Sequence, residues 1–171
     1  PPVGPAKDPE GIVAALTAFR KSKEIKEGEM VMGYGYDDTQ MPAGQLLNRD
    51  HLDKAFPNNP VMVVHVSLHG AVLNSMALKK YGISDKTTTP PGGVIVRKPG
   101  SHEPYGLIME TAFLPIFSQL PKPSADQLKS QVKSGQMIYA SAGVTTATEG
   151  ATHLQDLNIL QHAANNGELF I

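Results

Sequence analysis

Apolar and polar residues alternate along this chain in two periods, which predict helices and strands that follow one another. Apolar residues recur at helical spacing over 12–19, directly behind the helix-start signature Asp8-Pro9-Glu10. Residues 30–36 are predicted as a strand, residues 49–56 as a short helix and residues 61–68 as a buried strand. The predicted fold class is therefore α/β.

The second half of the chain continues this pattern. Residues 93–97 and 105–109 have the alternation of a β-hairpin with a long tip. The last third predicts helix, strand, helix and strand over 124–142, 144–148, 154–164 and 169–171. This alternation is typical of a parallel sheet or barrel, and a full eight-unit barrel needs about 250 residues. The 171 residues therefore fit only part of a barrel.

Composition places the chain among ordinary globular proteins. It is 40% hydrophobic with a formal net charge of −1, which gives no electrostatic reason to expect nucleic acid. No apolar run reaches the roughly 20 residues that span a bilayer, so no membrane partner is predicted and a cytoplasmic location is the default. There is no cysteine, which excludes disulfides, thiolate metal sites and thiol catalysis. A start without methionine and the apolar end Leu169-Phe170-Ile171 lead us to expect a piece of a longer protein.

Two histidines stand in and after the predicted strand over 61–68. If His65 and His69 belong to one strand, about 3.3 Å per residue separates them by about 13 Å, too far to share one metal ion unless the chain bends at Ser67. His65 is then predicted as a hydrogen-bonded core residue, whereas His69, before Gly70, is open between a pocket role and a structural one. Together with Asn74 and Ser75, His69 lies where polar side chains meet ligands at the rim of an apolar layer.

Carboxylates also follow predicted strands. Glu110 and Glu149 stand where metal ligands or general bases are found, although solvated or helix-capping residues fit the same positions. Gly33-Tyr34-Gly35 with Asp37 lacks the third glycine and the helix of a phosphate-binding loop. No Gly-x-Ser-x-Gly motif is present, so acyl transfer by an activated serine has no sequence support.

Several short motifs occur in one order. They are Gly33-Tyr34-Gly35-Tyr36-Asp37, Asn48-Arg49-Asp50-His51-Leu52-Asp53, His69-x4-Asn74-Ser75-x-Ala77-Leu78 and Pro104-x-Gly106-Leu107-x-x-Glu110. In this order and spacing the chain resembles the N-substituted formamide deformylase-like branch of the amidohydrolase superfamily, amidohydrolase family 3. The resemblance implies a metal-dependent hydrolase on a distorted TIM barrel, which cleaves C–N bonds other than peptide bonds in small-molecule amides.

The resemblance also implies a divalent metal, usually zinc, held by a His-x-His pair, two later histidines and an aspartate. None of these ligands is carried over to this chain, which has no His-x-His. We therefore predict no metal site and no bound cofactor in this chain alone, and an inactive isolated polypeptide, because water activation needs a metal with at least three protein ligands.

The same resemblance predicts two parts. Residues 1–120 are expected to form a mixed α/β cover subdomain beside the active-site mouth, and residues 121–171 an early slice of the TIM barrel. Within the cover, the resemblance assigns His69, Asn74 and Glu110 to the substrate pocket, without a specific role for Glu110. The chain departs from the family pattern in two places, with Tyr36 in place of tryptophan and Leu68 in place of glycine.

Two alternatives remain open from the sequence. One is a free-standing α/β domain that binds a ligand or protein without catalysis, and the other is an enzyme completed by a partner chain. A partial sheet is also expected to expose its edges at Val144–Thr148 and Leu169–Ile171, which favours a homodimer.

Overall fold

The computed structural model describes residues 1–120, 124–148, 150, 152 and 154–171. The chain forms two compact units, Pro1–Leu120 and Pro121–Ile171. The assignment of these two parts to a cover subdomain and a barrel segment stays a prediction. The candidate Glu149 lies outside the described residues.

The first unit contains five strands and four α-helices. They are α1 (Pro9–Ser22), β1 (Val31–Tyr36), α2 (Arg49–Ala55), β2 (Val61–His65), β3 (Gly70–Leu73), α3 (Ser75–Lys80), β4 (Gly93–Arg97), β5 (Pro104–Glu110) and α4 (Leu114–Phe117). Asp8 caps α1 as predicted, since its Oδ1 accepts from the Gly11 N–H at 2.7 Å. The α/β class is confirmed.

The five strands form one mixed sheet in the order β1-β2-β3-β5-β4. Strands β1 and β2 are parallel, and every other neighbouring pair is antiparallel. The carboxyl ends of β1, β2 and β5 therefore meet the amino ends of β3 and β4 along one edge of the sheet.

Each face of the sheet has its own apolar core. One core joins the helices α1 and α2, through Leu16 and Leu52, to Val63 and Val72 of the sheet. The other core packs α3 and α4 against residues such as Ile108 on the opposite face. Each core contains several residues with no exposed surface, so this unit has the interior of a folded domain.

The prediction of a single strand over 61–68 is wrong. Strand β2 ends at His65, and the chain reverses and returns antiparallel as β3. The Leu68 N–H donates to the His65 carbonyl at 3.0 Å, and Leu68 has a left-handed φ of 64°. The two histidines thus stand on either side of a turn. The prediction failed because the apolar pattern of the sequence does not distinguish one long strand from two paired strands.

The second unit is helical in its described residues. Helix α5 (Ala125–Ser141) begins with the predicted capping box, in which Ser124 and Gln127 exchange side-chain and backbone hydrogen bonds. Helix α6 spans Leu154–Asn165. None of the helices in the described residues is both long and apolar enough to span a bilayer.

The two strands predicted in this unit are wrong. Val144–Thr148 and Leu169–Ile171 have no regular secondary structure. The segment before Ile171 is held instead by the buried Gln136, whose amide accepts from the Phe170 N–H at 2.7 Å and donates to the Glu168 carbonyl at 2.9 Å. A β-branched run becomes a strand only where another strand pairs with it, and the described residues supply none here.

Candidate functional site

The sheet topology gathers six polar side chains along one edge, which we call the polar edge. They are Asp37, Asp38, His65, Ser67, His69 and Glu110. The two aspartates follow the carboxyl end of β1, and the others lie at the neighbouring ends of β2, β3 and β5. Residues that are distant in sequence are therefore brought together by strand pairing alone.

His65 stands between Asp38 and Ser67. Its Nδ1 accepts from the Ser67 backbone N–H at 3.1 Å, so the ring proton is assigned to Nε2. Nε2 then donates to Asp38 Oδ1 at 3.0 Å, and the Ser67 hydroxyl donates to Nδ1 at 2.8 Å. The ring also packs edge-on against Tyr36, with 5.7 Å between centroids. The hydrogen-bonded histidine predicted from the sequence is observed, at the half-buried margin of the core rather than inside it.

Asp37, Asp38 and His65 form a group that the sequence reasoning missed. One potential ligand atom from each lies within 4.8 Å of the others. The signal in the sequence was the pair of carboxylates directly after β1. This strand is the parallel neighbour of β2, which ends at His65. Only the pairing of β1 with β2 makes that signal visible.

The donor set of this group differs from the zinc ligands that the resemblance implies. His65 Nε2 carries a proton toward Asp38, and Asp37 Oδ1 already accepts from both the hydroxyl and the N–H of Thr39, at 2.6 and 3.0 Å. The Thr39 hydroxyl is also the main reason that the pKa of Asp37 lies below its usual value. One histidine and two aspartates are not the four histidines and one aspartate of that ligand set, so no step is assigned to a metal at this group.

His69 and Glu110, both predicted for the substrate pocket, form a pair. Glu110 Oε1 lies 3.0 Å from His69 Nδ1, and the Glu110 N–H donates to the His69 carbonyl at 2.8 Å. Both side chains are exposed, at 62% and 46%. The contact with Glu110 engages Nδ1, so Nε2 of His69 can make a further hydrogen bond. With both side chains exposed, this pair is the more accessible part of the polar edge.

The backbone at this pair is strained on both sides. Glu110 has a φ of 54° and Leu68, next to His69, a φ of 64°. A left-handed conformation costs a residue with a Cβ about 1–2 kcal/mol, and such strain is found at functional sites. The family pattern has a glycine at the position of Leu68. The left-handed φ of this turn explains that preference.

Replacing Leu68 by glycine is expected to stabilise the first unit by up to about 1 kcal/mol. Glycine relieves the strain at a φ of 64°, and this gain exceeds the cost of about 0.5–1 kcal/mol for the greater backbone entropy of the unfolded glycine chain. Leu68 is 49% exposed, so little packing is lost. Urea unfolding checks the sign. Val66→Gly in the same turn is the control, since Val66 is similarly exposed without a positive φ, and it should destabilise.

Asn74, the third residue predicted for the pocket, lies fully buried in the core. Its Oδ1 accepts from the N–H groups of Val61 and Ala77 at 2.8 and 3.0 Å. Its Nδ2 donates to the carbonyls of Asn59 and Phe56 at 2.8 and 3.3 Å. All four hydrogen-bonding positions of the amide are therefore used by the backbone. Asn74 caps α3 and joins it to β2, so we do not assign it to substrate.

A cavity of about 400 Å³ opens beside the polar edge. Asp38 and His65 supply polar groups to its wall, and the rest is mainly apolar, including Leu107 of β5. Tyr36 also lines it and is only 3% exposed. This burial raises the pKa of the Tyr36 hydroxyl above its usual value, so it stays a neutral hydrogen-bonding group at physiological pH.

Two solved structures have a fold similar to that of this chain. Uncharacterised metal-dependent hydrolases from Pyrococcus horikoshii OT3 and Pyrococcus furiosus superpose with TM-scores of 0.54 and 0.52. Each is 18% identical to this chain. The matched region covers 99% of this chain and 31% and 32%, respectively, of the two solved chains. The fold of this chain is therefore similar to part of the fold of these two proteins.

The family model described as "Amidohydrolase family" matches residues 1–171, and the chain belongs to this family. Protein LONG AFTER FAR-RED 3 of Arabidopsis thaliana is 32% identical over 127 residues, which are 74% of this chain and 21% of that protein. N-substituted formamide deformylase of Arthrobacter pascens is 33% identical over 93 residues, 54% of this chain and 17% of the enzyme. The resemblance read from the motifs is confirmed. The chain spans about a fifth of the length of these relatives.

Proposed function

We propose that this chain is part of a metal-dependent amidohydrolase that hydrolyses C–N bonds of small non-peptide amides, of the formamide type. The observation that carries the proposal is the family match over all 171 residues. The similarity to a protein named N-substituted formamide deformylase supports this bond type, and the structural neighbours support a divalent metal in the complete enzyme. Zinc is our proposal for that metal.

Within this enzyme we assign the first unit to the cover beside the active-site mouth. His69 and Glu110 are the residues that we propose to contact substrate, because they form an exposed pair on a strained turn. Glu110 orients the imidazole through Nδ1, and His69 Nε2 is then fixed in direction for a hydrogen bond to the amide. The pair positions substrate and takes no part in activating water.

The isolated 171-residue chain is expected to be inactive, because the complete set of metal ligands lies elsewhere in a longer protein. The test compares this chain with the product of the complete reading frame, both supplied with zinc, for release of formate from N-substituted formamides. Turnover only by the longer product supports the proposal. Stoichiometric zinc and turnover in the 171-residue chain would overturn it.

In the longer product, His69→Gln is expected to lower kcat/KM by about three- to tenfold, mostly through a higher KM. One hydrogen bond to a neutral amide is worth about this much. His102→Gln is the matched control, since His102 is an exposed histidine in the loop between β4 and β5. An unchanged KM in His69→Gln would contradict a role in substrate binding.

A second candidate, a free-standing α/β binding domain without catalysis, is favoured by the two complete cores and the cavity of the first unit. A reading frame that ends naturally at Ile171 would support it.

The homodimer expected from the sequence has no strands at 144–148 or 169–171 through which to form. Apolar residues on α5, Met137 and Ile138, are 55% and 71% exposed and offer an alternative surface. Sedimentation equilibrium of Ile138→Lys, with more monomer expected than in the parent chain, tests this.

A further inference from the structure

The cavity beside the polar edge has a specific origin in the sheet. Tyr105, Leu107 and Met109 alternate along one face of β5, and Val96 lies on the neighbouring strand β4. All four are only half-buried, although they continue the face whose other end α1 and α2 cover. Leu46 and Leu47, in the loop before α2, also line the cavity. An apolar cleft therefore remains where the helical layer stops.

Two polar groups of the cavity, Asp38 and His65, belong to the polar edge. Asp38 uses Oδ1 for the proton on His65 Nε2, which leaves Oδ2 of the same carboxylate to accept from a ligand. The neighbouring Asp37 adds a second negative charge. Two cations are nearby. Lys98 lies 5.5 Å from the Tyr105 ring and is paired with Asp50 at 3.1 Å. Lys7 donates to Gln40 at 3.0 Å and, after the hydrogen bond from Thr39, helps to lower the pKa of Asp37. Neither lysine lines the cavity, whereas Asp38 does, so the charge in the cavity wall favours a donor over an anion.

The size and chemistry of the cavity define a ligand class. A volume of about 400 Å³ is within the range of pockets for small molecules. Two aromatic rings, Tyr36 and Tyr105, suit a flat apolar group. A ligand that fills this space has an apolar, preferably aromatic body and an N–H or ammonium group at the end near Asp38.

We propose that this cavity binds the apolar nitrogen substituent of the amide substrate, and the amine released from it, with the Asp38 carboxylate accepting a hydrogen bond from the ligand nitrogen. The ligand class rests on the proposed function, whereas binding is a property of the first unit by itself. His65 acts as a positioning residue, because its Nε2–H fixes the orientation of the Asp38 carboxylate.

The test uses three probes of similar shape and different charge: 2-phenylethylamine, 2-phenylethanol and 3-phenylpropionate. NMR titration of the ¹⁵N-labelled 171-residue chain is expected to give a dissociation constant on the order of millimolar for the amine, with shifts at cavity residues. The anion should bind at least about tenfold more weakly and the alcohol in between. Asp38→Asn should bring the amine to the level of the alcohol.

Two further variants make the result decisive. Asp37→Asn is the matched control, since Asp37 is the adjacent carboxylate and does not line the cavity; it should leave most of the preference for the amine. Val96→Phe fills the cavity and should abolish binding of all three probes, with unchanged backbone shifts away from β4 showing that the fold is kept. Binding without charge preference, or an equal loss in Asp37→Asn and Asp38→Asn, would overturn the direct contact.

The failure of this inference is distinct from the failure of the proposed function. If the chain binds none of the probes while the complete reading frame still hydrolyses formamides, the cavity assignment is wrong and the amidohydrolase proposal stands. If the amine binds at the cavity and the complete product hydrolyses no amide, the cavity is a site for an aromatic amine in a protein of another activity.

Discussion

Asn74→Ala is expected to destabilise the first unit by about 3 to 5 kcal/mol. The side chain is fully buried and satisfies two backbone N–H groups and two carbonyls. Its removal deletes the N-cap of α3, worth about 1 kcal/mol, and leaves buried polar groups without a partner at about 1–3 kcal/mol each. Amide hydrogen exchange over residues 61–78 measures the loss where it occurs, independently of the second unit.

Asn58→Ala is the control for this change. Asn58 is an exposed asparagine whose side chain donates one hydrogen bond, to Glu27 at 2.8 Å, and its loss should cost less than about 0.5 kcal/mol. A stable, normally protected Asn74→Ala protein would contradict the structural role. In that case a place for Asn74 in the substrate pocket, as the motif implied, would regain support.

Gly106→Ala is expected to cost about 3 kcal/mol or more, or to prevent folding of the first unit. Gly106 has a φ of 113°, which disfavours any residue with a Cβ. An added Cβ would also lie 2.9 Å from both the Arg49 nitrogen and the Leu73 carbonyl oxygen. Both are backbone atoms, so relief requires moving α2 or β3, and overpacking of this kind costs about 1–3 kcal/mol beyond the strain. Urea unfolding followed by circular dichroism checks the size of the loss.

Gly100→Ala separates the two causes. Gly100 lies in the loop of the same hairpin with a positive φ of 69°, and an added Cβ there meets no atom within 4 Å. It should cost only the conformational strain, about 1 kcal/mol. Similar losses at the two glycines would show that the close approach of β5 to α2 and β3 is absent.

The sequence by itself determined the local elements and the family. Caps and spacing located α1, β1, α2 and the β4–β5 hairpin, because these signals act within a few residues of one another. Ser124 and Gln127 likewise predicted the start of α5. The ordered motifs identified the amidohydrolase family, and with it His69, Asn74 and Glu110 as residues of the substrate pocket. Whether His69 and Glu110 contact substrate stays a prediction.

Only the tertiary structure decided the rest, for one physical reason. Strand pairing is non-local, so the sequence could not show that the chain reverses after His65 or that Val144–Thr148 lacks a strand to pair with. The same pairing brings Asp38, at the end of β1, to within 3.0 Å of His65 at the end of β2, and opens a cavity beside them. Asn74 is the opposite case, because the sequence predicted a ligand-binding residue and the structure shows a buried helix cap. Its amide binds the backbone of β2 and of the turn before β2, contacts that the sequence could not show.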